Sequence, residues 1–400
     1  MRILYVSPRQ CWPLLSGAKL RDYHLALALG RHAALTYLFF AEPGLPVPTR
    51  ADLPFCEEIV PVPHPGRRYT AGGIIRGVFG RWPLPVVKYT SAAMSTAISR
   101  ICAGHRFEIA HMDGIHLAAY GVLLRKMTKD ARVIFDWHNI ESEGMRRYSG
   151  NTDSHIRRIG AAFTANRLAS LESMLLRAMF GHLVCSEREK RQLLSITPPG
   201  ARLAVIENGV DAAYFEQSAV PYQSRNRLVF VGTMDYHANI DAIVSFTRLV
   251  WPRIRERFPR WRLSIVGANP VQAVLDLCKQ PAIEVTGTVA DLRPYYQGAF
   301  AAIVPLRTGM GTRLKILEAM AAGVPVVSST IGAEGLAVIP GKHLLIADDA
   351  EDWLTALSSL TVEETWRGLV ECGRSLVHSR YDWPILEERL WQTYLQWLGN

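Results

Sequence analysis

The run Ala301-Ala-Ile-Val-Pro305-Leu-Arg-Thr-Gly309-Met310-Gly311-Thr312-Arg313-Leu-Lys315-Ile-Leu-Glu318-Ala-Met-Ala-Ala-Gly323-Val-Pro-Val-Val-Ser328 passes from an apolar stretch through a glycine-rich turn into a helical pattern and a second apolar stretch. The strand 301–305 ends at a proline. Thr312 is placed to cap the next helix and Gly323 to end it, which predicts a helix over 312–322 and a strand over 324–328. The helix N-terminus then opens at the carboxyl end of a strand, where doubly wound sheets hold ligands. Its unbonded N–H groups favour a phosphate. Arg313 and Lys315 add two cations in an exposed first turn, against the helix dipole by ~0.3–1 kcal/mol each. A bound anion reverses that balance. Glu318, three residues beyond Lys315, lies near one face of the same helix and is placed to hold sugar hydroxyls. The same residues also fit an ordinary capped helix with a surface ion pair between Lys315 and Glu318.

Outward from this run, the second half repeats one pattern. Strands are expected at 228–232, 263–266 and 283–286, and helices at 240–257, 271–279 and 291–297. The first half alternates likewise, with strands at 2–6, 35–39, 59–62, 107–112, 132–137 and 183–185. Helices are expected there at 17–29, 114–126 and 164–179. Such alternation argues for parallel, doubly wound α/β sheets. The polar stretch 214–227, with Pro221, reads as a linker between two Rossmann-like domains, 1–212 and 213–380. The closing segment 381–400 reads as a helix on which Leu386, Leu390, Tyr394 and Trp397 recur at helical spacing.

Composition narrows the classes. Half of the 400 residues are hydrophobic, enough for large cores and against disorder. No apolar run reaches the roughly 18 residues of a membrane-spanning helix. Met1-Arg2 leads straight into an apolar strand, which reads as a chain with no signal peptide. The six cysteines form no Cys-x-x-Cys pair, so disulfide and zinc frameworks are not expected and a cytoplasmic setting fits. Residues 1–212 hold 27 Lys and Arg against 17 Asp and Glu, while the remainder is nearly balanced. An excess of this kind suits an anionic membrane surface or ligand, or simply a solvated basic face. No nucleic-acid motif accompanies it, so nucleic acid is not the expected partner. The segment 67–88 mixes Arg67, Arg68, Arg76, Arg81 and Lys88 with Tyr69, Phe79 and Trp82, the pattern of a membrane-facing patch and equally of an ordinary variable loop.

The run Leu314–Ser328 resembles the nucleotide-sugar motif of retaining glycosyltransferase family 4, which has the GT-B fold. Further stretches are similar to that family: Asn208-Gly209-Val210-Asp211 with Phe215, Val231-Gly232, Val266-Gly267, Val285-Thr286-Gly287, Gly332-Ala-Glu-Gly335 and Tyr381-Asp-Trp383. The residues Asp235-Tyr236 and Arg293-Pro294-Tyr295 resemble a branch serving exopolysaccharide and other envelope glycans. The resemblance implies two Rossmann-like domains facing a cleft, with the last helix crossing back to the first domain. It implies sugar transfer with retention, from a nucleoside diphosphate donor to a glycan or lipid-linked acceptor. No cofactor is implied beyond the nucleotide-sugar substrate. No Asp-x-Asp pair is present, so Arg313, Lys315 and the helix N-terminus are expected to stabilise the leaving group without a metal. The implied donor-binding set is Gly17, Gly232, Gly287, Thr288, Gly309, Met310, Gly311, Thr312, Arg313, Lys315 and Glu318, with the base against the turn 286–289 and the ribose on Glu318.

Two departures stand out. The family often has two glutamates separated by seven residues; here Met310 holds the first position and Glu318 the second. The family also often has Arg and Lys after the first strand of its second domain, whereas Gly232-Thr-Met-Asp-Tyr-His-Ala-Asn239 has neither. Arg313 and Lys315 are suited to replace those cations from the opposite wall. In the first half, Gly17 corresponds to a glycine facing the diphosphate, with Arg21 on the following helix a further candidate. A family histidine near the reacting sugar corresponds in position to Asp113. His138, after the next strand, ranks ahead of Asp113, and His116 behind it. Each also fits a structural role, as a hydrogen-bonded histidine or a capping aspartate. Two rival readings stay open: a catalytically silent glycan-binding or scaffold subunit, for which Met310 speaks, and a nucleotide-sugar epimerase of the same fold.

Overall fold

The computed structural model describes residues 1–66, 70–128, 130–152, 154–216, 221–309 and 311–399. The chain forms two compact units. One comprises Met1–Glu207 with Glu387–Asn400, the other Asn208–Leu386. The final helix, Trp383–Gly399, therefore begins in the second unit and ends in the first.

The first unit has seven parallel strands: β1 (Arg2–Ser7), β2 (Ala34–Ala41), β3 (Glu58–Pro63), β4 (Ile109–Asp113), β5 (Arg132–Trp137), β6 (Gly181–Val184) and β7 (Arg202–Val205), in the order β3-β2-β1-β4-β5-β6-β7. The central strands are buried because helices cover both faces of the sheet; every residue of β4 is buried, His111 and Asp113 included. The strand order reverses between β1 and β4, which pair in parallel with Val6 opposite Met112. That reversal opens a crevice at their carboxyl ends. Leu390, Tyr394 and Trp397 of the last helix are buried in this unit. The Tyr394 hydroxyl lies 2.6 Å from His111 Nδ1.

The second unit has six parallel strands: β8 (Arg227–Val231), β9 (Arg262–Val266), β10 (Ile283–Val285), β11 (Ala299–Val304), β12 (Val326–Ser328) and β13 (Leu345–Ile346), in the order β10-β9-β8-β11-β12-β13. Its reversal lies between β8 and β11. Both units therefore have the strand order of a dinucleotide-type doubly wound sheet.

Several elements differ from expectation for physical reasons. The helix expected over 240–257 is two, His237–Leu249 and Trp251–Arg257, because Pro252 lacks an N–H and its ring crowds the preceding turn. The segment expected as one helix over 271–279 is a short α turn followed by a 3-10 turn. The expected helix over 164–179 starts earlier, at His155, where Ser154 caps it. The expected linker, 214–227, begins inside a helical turn, Ala212–Phe215, capped by Asp211, and holds a 3-10 turn, Tyr222–Ser224; residues 217–220 lie outside the described residues. The strands β7 and β13 were too short to give a periodicity. Among the described residues no helix is long and apolar enough to cross a membrane.

Candidate functional site

In the second unit, three glycine turns meet at the carboxyl ends of adjacent strands. Gly232 follows β8, Gly267 follows β9 and Gly287 lies just past β10. The Gly232 N–H donates to Val266 O (3.0 Å) and the Gly267 N–H to Gly287 O (3.3 Å). A Cβ on Gly267 would fall 1.7 Å from Gly232 O, so these backbones approach as only glycine allows. Thr288 beside them is exposed. Across the reversal, β11 leads into the turn holding Gly309 and Gly311, both with positive φ, and then into the helix Leu314–Ala321. That helix has no acidic residue in its first turn.

Lys315 reaches back from this helix to the β8 turn. Its Nζ donates to Asn239 Oδ1 (2.9 Å) and lies 4.4 Å from the centre of the Phe230 ring. A Cβ on Gly232 would come within 2.8 Å of the same Nζ. Asn239 is fixed in turn by its own amide, which donates to Thr233 O (2.9 Å). A cation thus stands against the stretch 232–239, which has no Lys or Arg of its own. Burial, then the Arg313 charge, pull the Lys315 pKa down to about 7, with Glu318 opposing. Burial raises the Glu318 carboxyl, partly offset by the Tyr296 hydroxyl, which donates to Glu318 Oε2 (3.3 Å).

Three expectations change here. Lys315 and Glu318 do not form the ion pair of the alternative reading; each has the separate partner just named. Arg313 is not exposed: it is buried, stands at the N-cap position and folds its guanidinium back onto Gly311 O. Thr312 does not cap the helix: Arg313 holds the N-cap position, no side chain caps it, and the Thr312 hydroxyl accepts from Asn208 Nδ2 (3.2 Å). Gly323, with φ of 71°, ends the helix as expected. Met310 lies outside the described residues.

In the first unit, the crevice between β1 and β4 holds a buried polar cluster. His138, just past β5, contacts Asp113 Oδ1 through Nε2 and lies 3.5 Å from Asp22 Oδ1. The Ser7 hydroxyl reaches Asp22 Oδ2 (3.0 Å) and Asp113 Oδ2 (3.3 Å). Arg9 Nη1 stands 3.4 Å from Asp22 Oδ2 and 3.9 Å from Asp113 Oδ2. Burial lowers the His138 pKa, but the Asp113 charge and hydrogen bond, aided by Asp22, carry it up to about 10. Burial would raise Asp113; His138 and Arg9 hold it well below the carboxylate range. Burial and the Asp113 charge push Asp22 up to about 6. Among the described residues, Asp22, Asp113 and His138 form the one group with donor atoms close enough, within 4.8 Å, to hold a metal ion. Two cations already face these two carboxylates, so the charge is balanced without one.

Asp22 and Arg9 were missed in the sequence. Asp22 looks like an ordinary helix residue, and only the fold turns it toward β4. Asp113 is fully buried with both oxygens engaged, so it positions His138, whose side chain keeps some exposure. His116 packs edge-on against Tyr89 (4.9 Å); burial and the Arg9 charge lower its pKa to about 4, so it is neutral. Arg21 is a structural residue: fully buried, it forms a two-pronged pair with Asp136 (2.9 and 2.8 Å) and donates to Ile206 O (2.8 Å) and Glu207 O (3.1 Å). Gly17 opens the helix Gly17–Gly30 behind the Ser16 cap.

Two doubly wound parallel units, each with polar residues gathered at its topological reversal, define the GT-B class of protein. Family models agree: the glycosyl transferase 4-like domain matches residues 44–209 and glycosyl transferases group 1 matches residues 225–362. The chain belongs to the family 4 type of glycosyltransferases. It is 32% identical over 245 residues to a glycogen synthase of Mycobacterium tuberculosis, a match covering 58% of each chain. The chain thus spans little more than half the length of that relative. Among solved structures, it is similar to sucrose-phosphate synthase from Thermosynechococcus elongatus (18% identity, TM-score 0.71, covering 100% of this chain and 99% of that one). It is also similar to Anabaena HepE in complex with UDP and glucose (12% identity, TM-score 0.67, covering 99% and 100%).

Proposed function

We propose that this chain transfers a sugar, with retention, from a nucleoside diphosphate donor to a glycan or lipid-linked acceptor in polysaccharide biosynthesis. One observation carries the reading: Lys315 Nζ held by Asn239 against Gly232. It puts a cation among glycine turns at the carboxyl end of a parallel sheet, the place and charge a diphosphate needs. The leaving diphosphate gains negative charge as the bond to the sugar breaks, and Lys315, Arg313 and the helix N-terminus stabilise it. Gly309, Gly311 and Thr312 shape that wall, Gly287 and Thr288 meet the base, and Glu318 takes the ribose. In the first unit, Gly17 meets the diphosphate, and His138, protonated at neutral pH, acts as a fixed hydrogen-bond donor to the sugar, held by Asp113 and Asp22. The UDP and UDP-glucose complexes of HepE support a nucleotide-sugar donor. The chain works without a metal, at the cytoplasmic membrane face.

The test is thermal shift of the full chain against UDP-, GDP-, ADP- and dTDP-sugars, followed by donor hydrolysis assays with the sugar that stabilises it. A stabilised chain that slowly hydrolyses one donor is the expected result. Stabilisation with no hydrolysis and no transfer to any glycan would favour the scaffold reading.

A further inference from the structure

The first unit contains a cavity of about 240 Å³ that the donor-binding residues of the second unit do not line. Arg9 after β1, Glu42 after β2 and His64 after β3 line it, with Lys88 and Tyr89 beyond the short helix Leu84–Val87. The strands β1, β2 and β3 are adjacent and parallel. Their carboxyl ends therefore share one edge, the edge where such sheets take ligands. The volume is below the ~300–1,000 Å³ of pockets for drug-sized molecules, and suits one sugar ring with its substituents.

The lining has a definite chemistry. Glu42 is neutralised by Lys19, which contacts its Oε2. Arg9 is fixed from behind by Asp22 and Asp113. Lys88 brings a second cation to the wall. Tyr89 supplies an aromatic face held edge-on by His64 (5.5 Å) and His116 (4.9 Å). The Lys88 ammonium beside the Tyr89 ring, with the donors of the braced Arg9 guanidinium, suits a sugar ring that carries anionic oxygens.

We infer that this cavity is an acceptor subsite for a monosaccharide unit bearing an anionic oxygen group. The word acceptor rests on the glycosyltransferase reading above. The anion can belong to a uronate carboxylate or to a sugar phosphate, and the two are separated by experiment.

Binding of glucuronate, glucose 1-phosphate, inorganic phosphate and neutral methyl glucoside to the full chain is measured by calorimetry at low and high salt. UDP, GDP, ADP and dTDP are titrated in parallel. At least one acidic sugar should bind about tenfold more tightly than methyl glucoside, and the gap should shrink with salt. Lys88→Gln should remove most of the gap; Lys88→Met serves as a second variant should the first fail to fold. Equal affinity for acidic and neutral sugars, or a gap unchanged in the variant, overturns the inference. Inorganic phosphate binding as tightly as the acidic sugars overturns the role given to Tyr89. If a nucleotide binds while the acidic preference is absent, only this inference falls. If no nucleotide binds, the transferase reading falls, and the acceptor role with it.

Discussion

Lys315 combines a cation's role with an awkward position. Burial and Arg313 pull its pKa to about 7, against ~10.4 in an unfolded chain. Between those values the unfolded state holds the extra proton, so the contribution of this group to stability rises as pH climbs from about 7 toward 10. A bound diphosphate favours the charged amine, so binding at pH 8 should take up close to one proton. Calorimetry in two buffers of different ionisation enthalpy measures this; no uptake by the native chain removes Lys315 from the diphosphate. Arg313→Ala and Lys315→Ala should each lower kcat by roughly 10²–10³, the scale of a lost oxyanion donor. Melting temperatures separate the two variants. Arg313 is buried and braces its own turn, so its loss lowers Tm, whereas losing Lys315 relieves a buried charge and leaves Tm nearly unchanged. Normal turnover in both variants would leave the glycine turns without a catalytic task. The motif made both cations visible in the sequence. Their burial was not visible, because position in a helical turn does not say what packs over it.

The β8 and β9 turns work as one unit, and two alanine substitutions should expose different parts of it. A Cβ at Gly267 would overlap the backbone oxygen of Gly232 at 1.7 Å, an atom that cannot swing aside. Gly267→Ala should therefore destabilise the second unit by roughly 3 kcal/mol or more. A Cβ at Gly232 would instead press on Lys315 Nζ (2.8 Å) and Asn239 Nδ2 (2.7 Å), the ends of movable side chains. Gly232→Ala should cost less stability and more donor affinity. Denaturant melts with nucleotide titrations compare them; equal loss of stability in both would mean that the Gly232 turn is purely structural. Both glycines were visible in the sequence as strand ends, but their mutual contact was not. They are brought together by a crossover between paired strands.

The whole chain carries its positive excess in the first unit's sequence, and the structure gives that excess apolar company. Phe79 is 84% exposed, Ile156 85% and Ile159 70%. Ile156, Ile159, Phe163 and Arg167 follow one face of the helix His155–Ala178. Arg167 donates to carbonyls at the end of the helix Ala71–Phe79, including Val78 O at 2.9 Å, which joins Phe79 to the same region. Arg67, Arg68 and Tyr69 lie outside the described residues. Sedimentation with anionic vesicles should show weak binding at low salt, at ~1 kcal/mol per basic residue near the surface, and release at high salt. Equal binding to neutral vesicles would count against a charge-driven surface. The proposed metal-free reaction is tested at this scale too, since it concerns the net charge of each site. EDTA should cost less than about twofold in rate, ~0.4 kcal/mol in barrier. Abolition rescued by Mn²⁺ or Mg²⁺ would instead point to Asp22, Asp113 and His138 as ligands.

The sequence by itself determined the alternation of strands and helices, the two sheets and the glycine turns. These rest on periodicity, capping and backbone permissiveness, which act within a few residues along the chain. Tertiary structure alone decided that Asn239 holds Lys315, 76 residues away. It also decided that Asp22 joins Asp113 and His138, and that Arg21, a candidate ligand contact, is locked onto Asp136 inside the fold. Parallel strands are joined by long crossovers, so residues at neighbouring strand ends are far apart in sequence. No local pattern marks which polar side chain turns toward the crevice and which toward the buried sheet.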